Sequence, residues 1–119
     1  MKRSLALLAA ALAILVMTAS PETVASGKDV FERRCTGCHS LDRDKEGPRL
    51  GGVYGRPAGS VPSFNYSDAL KQSHITWDAD SLAKWLAGPD KLVPDTDMAF
   101  HLESAAERAA IIAYLKQAR

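Results

Sequence analysis

The sequence predicts a small all-α domain with long loops, and three observations carry that prediction. Apolar residues recur at spacings of three and four in separate stretches near 30, 82–86 and 111–115, the period of a half-buried helix. Glycine and proline crowd residues 47–62, which makes that stretch loop. No strand-like alternation surrounds the two cysteines, and there are no internal repeats or low-complexity segments.

From the N-terminus, Lys2 and Arg3 precede an apolar run from Leu5 to Met17, followed by small and polar residues. That is the layout of a signal peptide. The run falls short of the roughly 20 apolar residues a membrane-spanning helix needs. Thr23 and Ala25 supply the small residues a signal peptidase reads, so residues 1–25 are expected to be removed and residues 26–119 to form the domain. The alternative is an uncleaved anchor, because the cleavage point lies well past the apolar run. Export points to a bacterial periplasm, with attachment to the periplasmic face of the inner membrane as the alternative address.

Residues 27–35 read as a helix that turns Val30, Phe31 and Cys35 to one side and leaves Lys28, Glu32 and Arg33 to water. Residues 41–62 are charged and then glycine- and proline-rich, and a loop of that length in a small domain needs something to wrap. Ser67 to Lys71 can make one helical turn. Asp78 is an N-cap candidate for a helix carrying Leu82, Trp85 and Leu86, ended by Gly88-Pro89. Pro94-Asp95-Thr96-Asp97 is turn material leading to Met98. The last helix opens on a capping-box pattern, Ser104-Ala105-Ala106-Glu107, and its apolar stripe is Ile111, Ile112, Tyr114 and Leu115.

The chemistry lies in Cys35-Thr36-Gly37-Cys38-His39. C-x-x-C-H is the attachment signature of a c-type haem: two thiols close to one another can each form a thioether to a vinyl group, and the adjacent imidazole ligates the iron. A redox disulfide would call for a βαβ setting. A structural zinc would call for four ligands, but the chain has two cysteines, with His74 and His101 far away. One haem c, bound through Cys35 and Cys38 with His39 as metal ligand, is therefore expected. Met98, His74, His101 and, less readily, a lysine are the side chains able to take the other axial position. Met98 is favoured, because it is the only methionine after residue 25 and lies between a proline-bearing loop and an aromatic, outside any helix. Its soft thioether favours iron(II). His74 and His101 read more simply as surface histidines.

Charge narrows the function further. Without Lys2, Arg3 and Glu22 the chain carries 13 basic and 13 acidic residues, and two haem propionates would tip it acidic, so nucleic acid is excluded as a main partner. A domain of this size is near the lower range for a self-sufficient core. A haem would supply much of that core, and the apoprotein is expected to be largely unfolded.

Taken in order, the motifs resemble class I c-type cytochromes, the short mitochondrial-like cytochromes c and their bacterial relatives. The likeness runs through Gly27-Lys28-Asp29-Val30-Phe31, the C-T-G-C-H run, Gly47-Pro48-Arg49-Leu50, Gly55-Arg56, Tyr66-Ser67-Asp68-Ala69, Ile75-Thr76-Trp77, Thr96-Asp97-Met98-Ala99-Phe100 and Ile112-Ala113-Tyr114-Leu115-Lys116. The resemblance implies the cytochrome c fold, with helices and long loops packed around one haem. It implies His39 and Met98 as axial ligands, and the Pro48 carbonyl as acceptor for the other ring N–H of His39. Arg56, Tyr66 and Trp77 would bind or charge-balance a propionate, Trp85 would lie against the haem near Met98, and Gly27 and Phe31 would cross Ile111 and Tyr114. It further implies a monomeric one-electron carrier, not an enzyme. Its partners would be transient membrane or soluble redox proteins: a reductase, and an oxidase or reaction centre, of a respiratory or photosynthetic chain.

The chain also departs from that pattern. Asp90 and Asp97 stand where lysines usually surround the haem edge, although Arg34 and Lys91 keep charge nearby, so the usual steering field is weakened. Leu70 replaces a common asparagine and Trp85 a frequent tyrosine, which points to a drier haem pocket.

Overall fold

A computed structural model describes residues 9–16 and 18–119. Lys2, Arg3, the start of the apolar run and Met17 lie outside the described residues. In the described part of that run Leu12, Ile14, Leu15 and Val16 are between 75% and 90% exposed. No described helix is long and apolar enough to cross a membrane.

The described elements are five helices joined by loops, with one isolated antiparallel bridge between Pro57 and Thr76. Helix α1, Pro21–Arg34, begins earlier than the predicted residue 27 and runs across the expected cleavage point after Ala25. Local chemistry explains the early start: Ser20 Oγ accepts the Thr23 N–H at 3.2 Å, and Pro21 takes the first helical position, where no N–H partner is needed. Ion pairs such as Arg33–Asp29 at 3.0 Å decorate its outer face. Each contributes about 0.3–0.5 kcal/mol, whereas burying Val30 or Phe31 contributes about 1.5–3 kcal/mol. The buried stripe therefore decides where α1 packs.

That stripe meets α5, Ala105–Gln117. Gly27 sits at the crossing: a Cβ there would stand 2.0 Å from the Ala110 carbonyl oxygen and 2.8 Å from Tyr114 Cβ. Gly27 thus meets the expected Tyr114 but, in place of the expected Ile111, the residue before it, Ala110. Phe31 and Tyr114 do pack as expected, with ring centroids 5.5 Å apart. Ser104 caps α5 through the Glu107 N–H at 3.2 Å, but Glu107 Oε2 is buried without a partner, so the predicted capping box is only half formed.

Helix α2, Asp68–Lys71, is the single turn expected after Ser67. Helix α3, Ala79–Ala87, has a reciprocal cap: Asp78 Oδ1 accepts the Ser81 N–H at 2.8 Å, and Ser81 Oγ accepts the Asp78 N–H at 2.9 Å. Gly88-Pro89 ends it, but Pro89 then opens a further short helix, α4, Pro89–Leu92, which the sequence reading did not anticipate. The long loop is held by backbone bonds. Leu50 N–H reaches Ser40 O and Gly51 N–H reaches Leu41 O, each at 2.9 Å, while Trp77 N–H reaches Arg56 O at 3.0 Å. The loop thereby wraps a central hollow, as its composition predicted.

Candidate haem site

The end of α1 delivers the cysteines. Cys35 caps the helix, with its N–H on Phe31 O at 2.9 Å. The chain then turns tightly, because the N–H groups of Cys38 and His39 both return to Cys35 O, at 3.1 and 2.9 Å. Lys45 Nζ donates to Thr36 O at 2.6 Å and braces the turn. Both cysteines are free; Cys35 is half-buried and Cys38 exposed. Burial pushes the Cys35 thiol up to about 11, outweighing the neighbouring Arg34 charge, so it stays a neutral thiol.

His39 is oriented from two sides. Its Nδ1 lies 2.9 Å from Pro48 O, and since a carbonyl only accepts, Nδ1 carries the proton and Nε2 keeps a free lone pair. Burial holds the ring's pKa below its ordinary value, more strongly than the Pro48 bond raises it, and Lys45 lowers it further. The imidazole is therefore neutral, the form that binds a metal. Gly47 lies flat against the ring; its N–H is held by Cys38 O at 2.8 Å.

These residues open on a cavity of about 480 Å3. Cys35, Cys38, His39 and Pro48 line it, and Met98, half-buried in an irregular segment, lies on the lining too. His74 and His101 are exposed and are not among the lining residues. His101 Nε2 pairs instead with Asp90 at 2.8 Å. Arg56, Tyr66, Trp77 and Trp85 also reach the cavity, so every site residue expected from the sequence borders one hollow.

The hollow fits a haem on its own features. At about 480 Å3 it falls within the roughly 300–1,000 Å3 of cofactor-sized sites, and its lining is largely apolar with a few polar groups. Arg56 is more specific. Its Nη1 and Nη2 donate to Gly51 O at 3.3 Å and Arg49 O at 2.9 Å, while its buried Nε has no partner. Burial pulls its pKa below the ordinary value, so the site calls for an anion beside the guanidinium. Tyr66 accepts the Val61 N–H at 3.1 Å and still has a hydroxyl proton to donate. The indoles of Trp77 and Trp85 stack at 5.2 Å between centroids, tilted by 60°. Leu70 and Leu86 complete an apolar lining.

Sequence reasoning missed several contributors. Val53 and Phe64 line the cavity from inside the glycine- and proline-rich loop, where isolated apolar residues were the only available signal. Asp44 joins two arms of that loop: its carboxylate accepts the Arg49 N–H at 3.0 Å and the Ser63 hydroxyl at 2.6 Å. The Arg49 carbonyl in turn holds Arg56.

Comparison with known proteins agrees with this geometry. The sequence profile of the family "Cytochrome c" matches residues 24–119. Cytochrome c of Sesamum indicum is 40% identical over 104 residues, spanning 84% of this chain and 94% of that protein. Cytochrome c of Euglena viridis is 46% identical over 93 residues, spanning 76% and 91%. The solved structure of cytochrome cH from Methylobacterium extorquens superposes with a TM-score of 0.74 at 42% identity, covering 78% of this chain and 96% of that one. With its helices, its C-x-x-C-H turn and its haem-sized hollow, the chain belongs to the cytochrome c family, whose members are haem-bearing electron carriers.

Proposed function

We propose that this protein is a monohaem one-electron carrier, with haem c linked through Cys35 and Cys38 and the iron held by His39 and Met98. The observation that carries the reading is the shared hollow: His39, Met98 and both cysteines border it, while His74 and His101 do not. Haem supplies the iron(III)/iron(II) couple when bound. Pro48 holds His39 in one tautomer and strengthens it as a donor. Met98 would supply a neutral, soft sulfur to the iron, a donor that favours the reduced state and would leave little room for small molecules. Arg56, Tyr66 and Trp77 would hold the propionates, and Trp85 and Leu70 would exclude water from the ring. With both axial positions filled, the protein performs no bond chemistry on a substrate.

The carrier works as a monomer through brief contacts with a reductase and an oxidase or reaction centre of a respiratory or photosynthetic chain. Contacts of that kind bury little area and are guided by charge. It acts in the periplasm after loss of residues 1–25. Cleavage after Ala25 would remove the Ser20 cap and the first turn of α1 but spare Gly27, Val30 and Phe31, which make its buried contacts. The mass of the purified holoprotein separates this from an uncleaved anchor.

The deciding experiment is near-infrared magnetic circular dichroism of the oxidised holoprotein. The charge-transfer band of methionine bound to ferric low-spin haem supports the reading. A high-spin spectrum that shifts with nitric oxide or carbon monoxide would replace it with an open-site sensor or enzyme.

A further inference from the structure

The segment bearing Met98 is tied down at its ends and not along its length. Thr96 N–H bonds to Val93 O at 3.2 Å on one side, and Leu102 N–H bonds to Leu86 O at 2.8 Å on the other. Arg108 Nη1 reinforces the far end by donating to Leu102 O at 2.6 Å and Glu103 O at 2.8 Å. Between these anchors, residues 97–100 make no hydrogen bond among the described residues. A segment held by so little is where a fold opens first.

One contact reaches that segment from the end of α1. The guanidinium carbon of Arg34 lies 5.5 Å from the centroid of the Phe100 ring, within cation–π range. Arg34 occupies the last turn of α1, immediately before Cys35, and both Arg34 and Phe100 line the haem cavity. Its charge also suits the negative end of the helix. Its neighbour Arg33 is engaged by Asp29, whereas Arg34 has no carboxylate partner among the described residues. Arg34 is thus set on the rigid α1–α5 frame and aimed at the one aromatic beside Met98.

We infer that Arg34 is a positioning residue for the axial methionine: its stacking on Phe100 ties the 97–100 segment across the mouth of the cavity and slows departure of Met98 from the iron. The inference rests on the proposed ligation by Met98. It adds that the strength of this ligation is set partly from the attachment side of the haem, by a side chain that does not touch the iron.

The test is displacement of Met98 by imidazole in ferric holoprotein, followed by loss of the methionine charge-transfer band. Arg34→Ala and Phe100→Leu should each raise the displacement rate about two- to five-fold, the range expected of one exposed cation–π contact. The double variant should be no faster than the faster single one. Arg34→Lys, which keeps a cation without the planar stack, should recover part of the loss. Unchanged rates in Arg34→Ala, or effects that multiply in the double variant, overturn the tie. If a Phe100 variant does not assemble with haem, the Arg34→Ala and Arg34→Lys rates decide alone. Absence of the band from the parent protein overturns the Met98 assignment itself, and the tie with it, and is told apart because it needs no variant.

Discussion

Gly47→Ala probes the support of the proximal histidine most directly. The added Cβ would stand 2.2 Å from His39 Cε1, 2.7 Å from Nδ1 and 2.8 Å from Nε2. The Gly47 backbone cannot give way easily, because its N–H is bonded to Cys38 O at 2.8 Å and its carbonyl accepts the Lys45 N–H at 2.9 Å. The ring must move instead, and moving it breaks the bond to Pro48 O. Overpacking of this kind costs about 1–3 kcal/mol and the lost hydrogen bond about 1 kcal/mol, giving about 2–4 kcal/mol in all. In a domain of this size that corresponds to a melting temperature roughly 8–30 °C lower. Gly37→Ala is the control within the same loop, since a Cβ there meets nothing within 4 Å. It should stay within about 0.5 kcal/mol of the parent. Guanidinium denaturation of the holoproteins, followed at the haem absorption band, compares the two. Equal midpoints for Gly47→Ala and Gly37→Ala would show that the glycine does not seat the histidine.

Gly27→Ala should destabilise the holoprotein although alanine is the better helix former by about 1 kcal/mol, because the new methyl meets the Ala110 backbone at 2.0 Å; a midpoint at or above the parent's rejects this packing. Arg56→Leu removes the cation beside the proposed propionate site, so the propionate should ionise near neutrality and the reduction potential fall as pH rises from 5 to about 8, where the parent's stays flat; potentiometry across that range checks it. The Asp44 carboxyl is held below its ordinary 3.8 by the Ser63 hydroxyl and then by the Arg49 N–H, so its contribution is complete above 3.8 and is lost as pH falls through the lower folded value. Asp44→Asn should therefore be less stable than the parent at pH 7 and lose less on acidification, as urea midpoints at several pH values will show. Leu70→Asn should lower the reduction potential by admitting a polar group and water that favour iron(III); an unchanged potential would reject the dry pocket.

What was legible in the sequence was whatever neighbouring residues decide among themselves. Cys35, Cys38 and His39 lie within five consecutive residues, so their chemistry could be read before any fold was known. Asp78 was legible as the cap of α3 and forms as read; the structure adds Ser81 to it and makes Ser67 the cap of α2, both through residues three apart. The spacing of Leu82, Trp85 and Leu86 placed one helix face for the same reason. Even here a local pattern could be overruled: Glu107 has the right spacing for a capping box, yet its carboxylate does not close it.

The assembled site needed distance information. Resemblance to a family brought Arg56, Tyr66, Trp77 and Met98 forward as candidates, but their convergence on one hollow depends on the path of loops that no periodicity describes. Resemblance put Gly27 at a helix crossing and the Gly47-Pro48 pair read as a turn, without saying that one touches Ala110 and the other His39. Ties such as Asp44 to Ser63 and Arg34 to Phe100 join residues far apart in the chain, and each contributes too little to leave a compositional trace. The sequence by itself determined the attachment motif and the buried faces of the longer helices, because both follow from residues close together in the chain. The tertiary structure alone decided how the lining residues meet around one hollow and that Arg34 lies over Phe100, because those contacts exist only once the loops have closed.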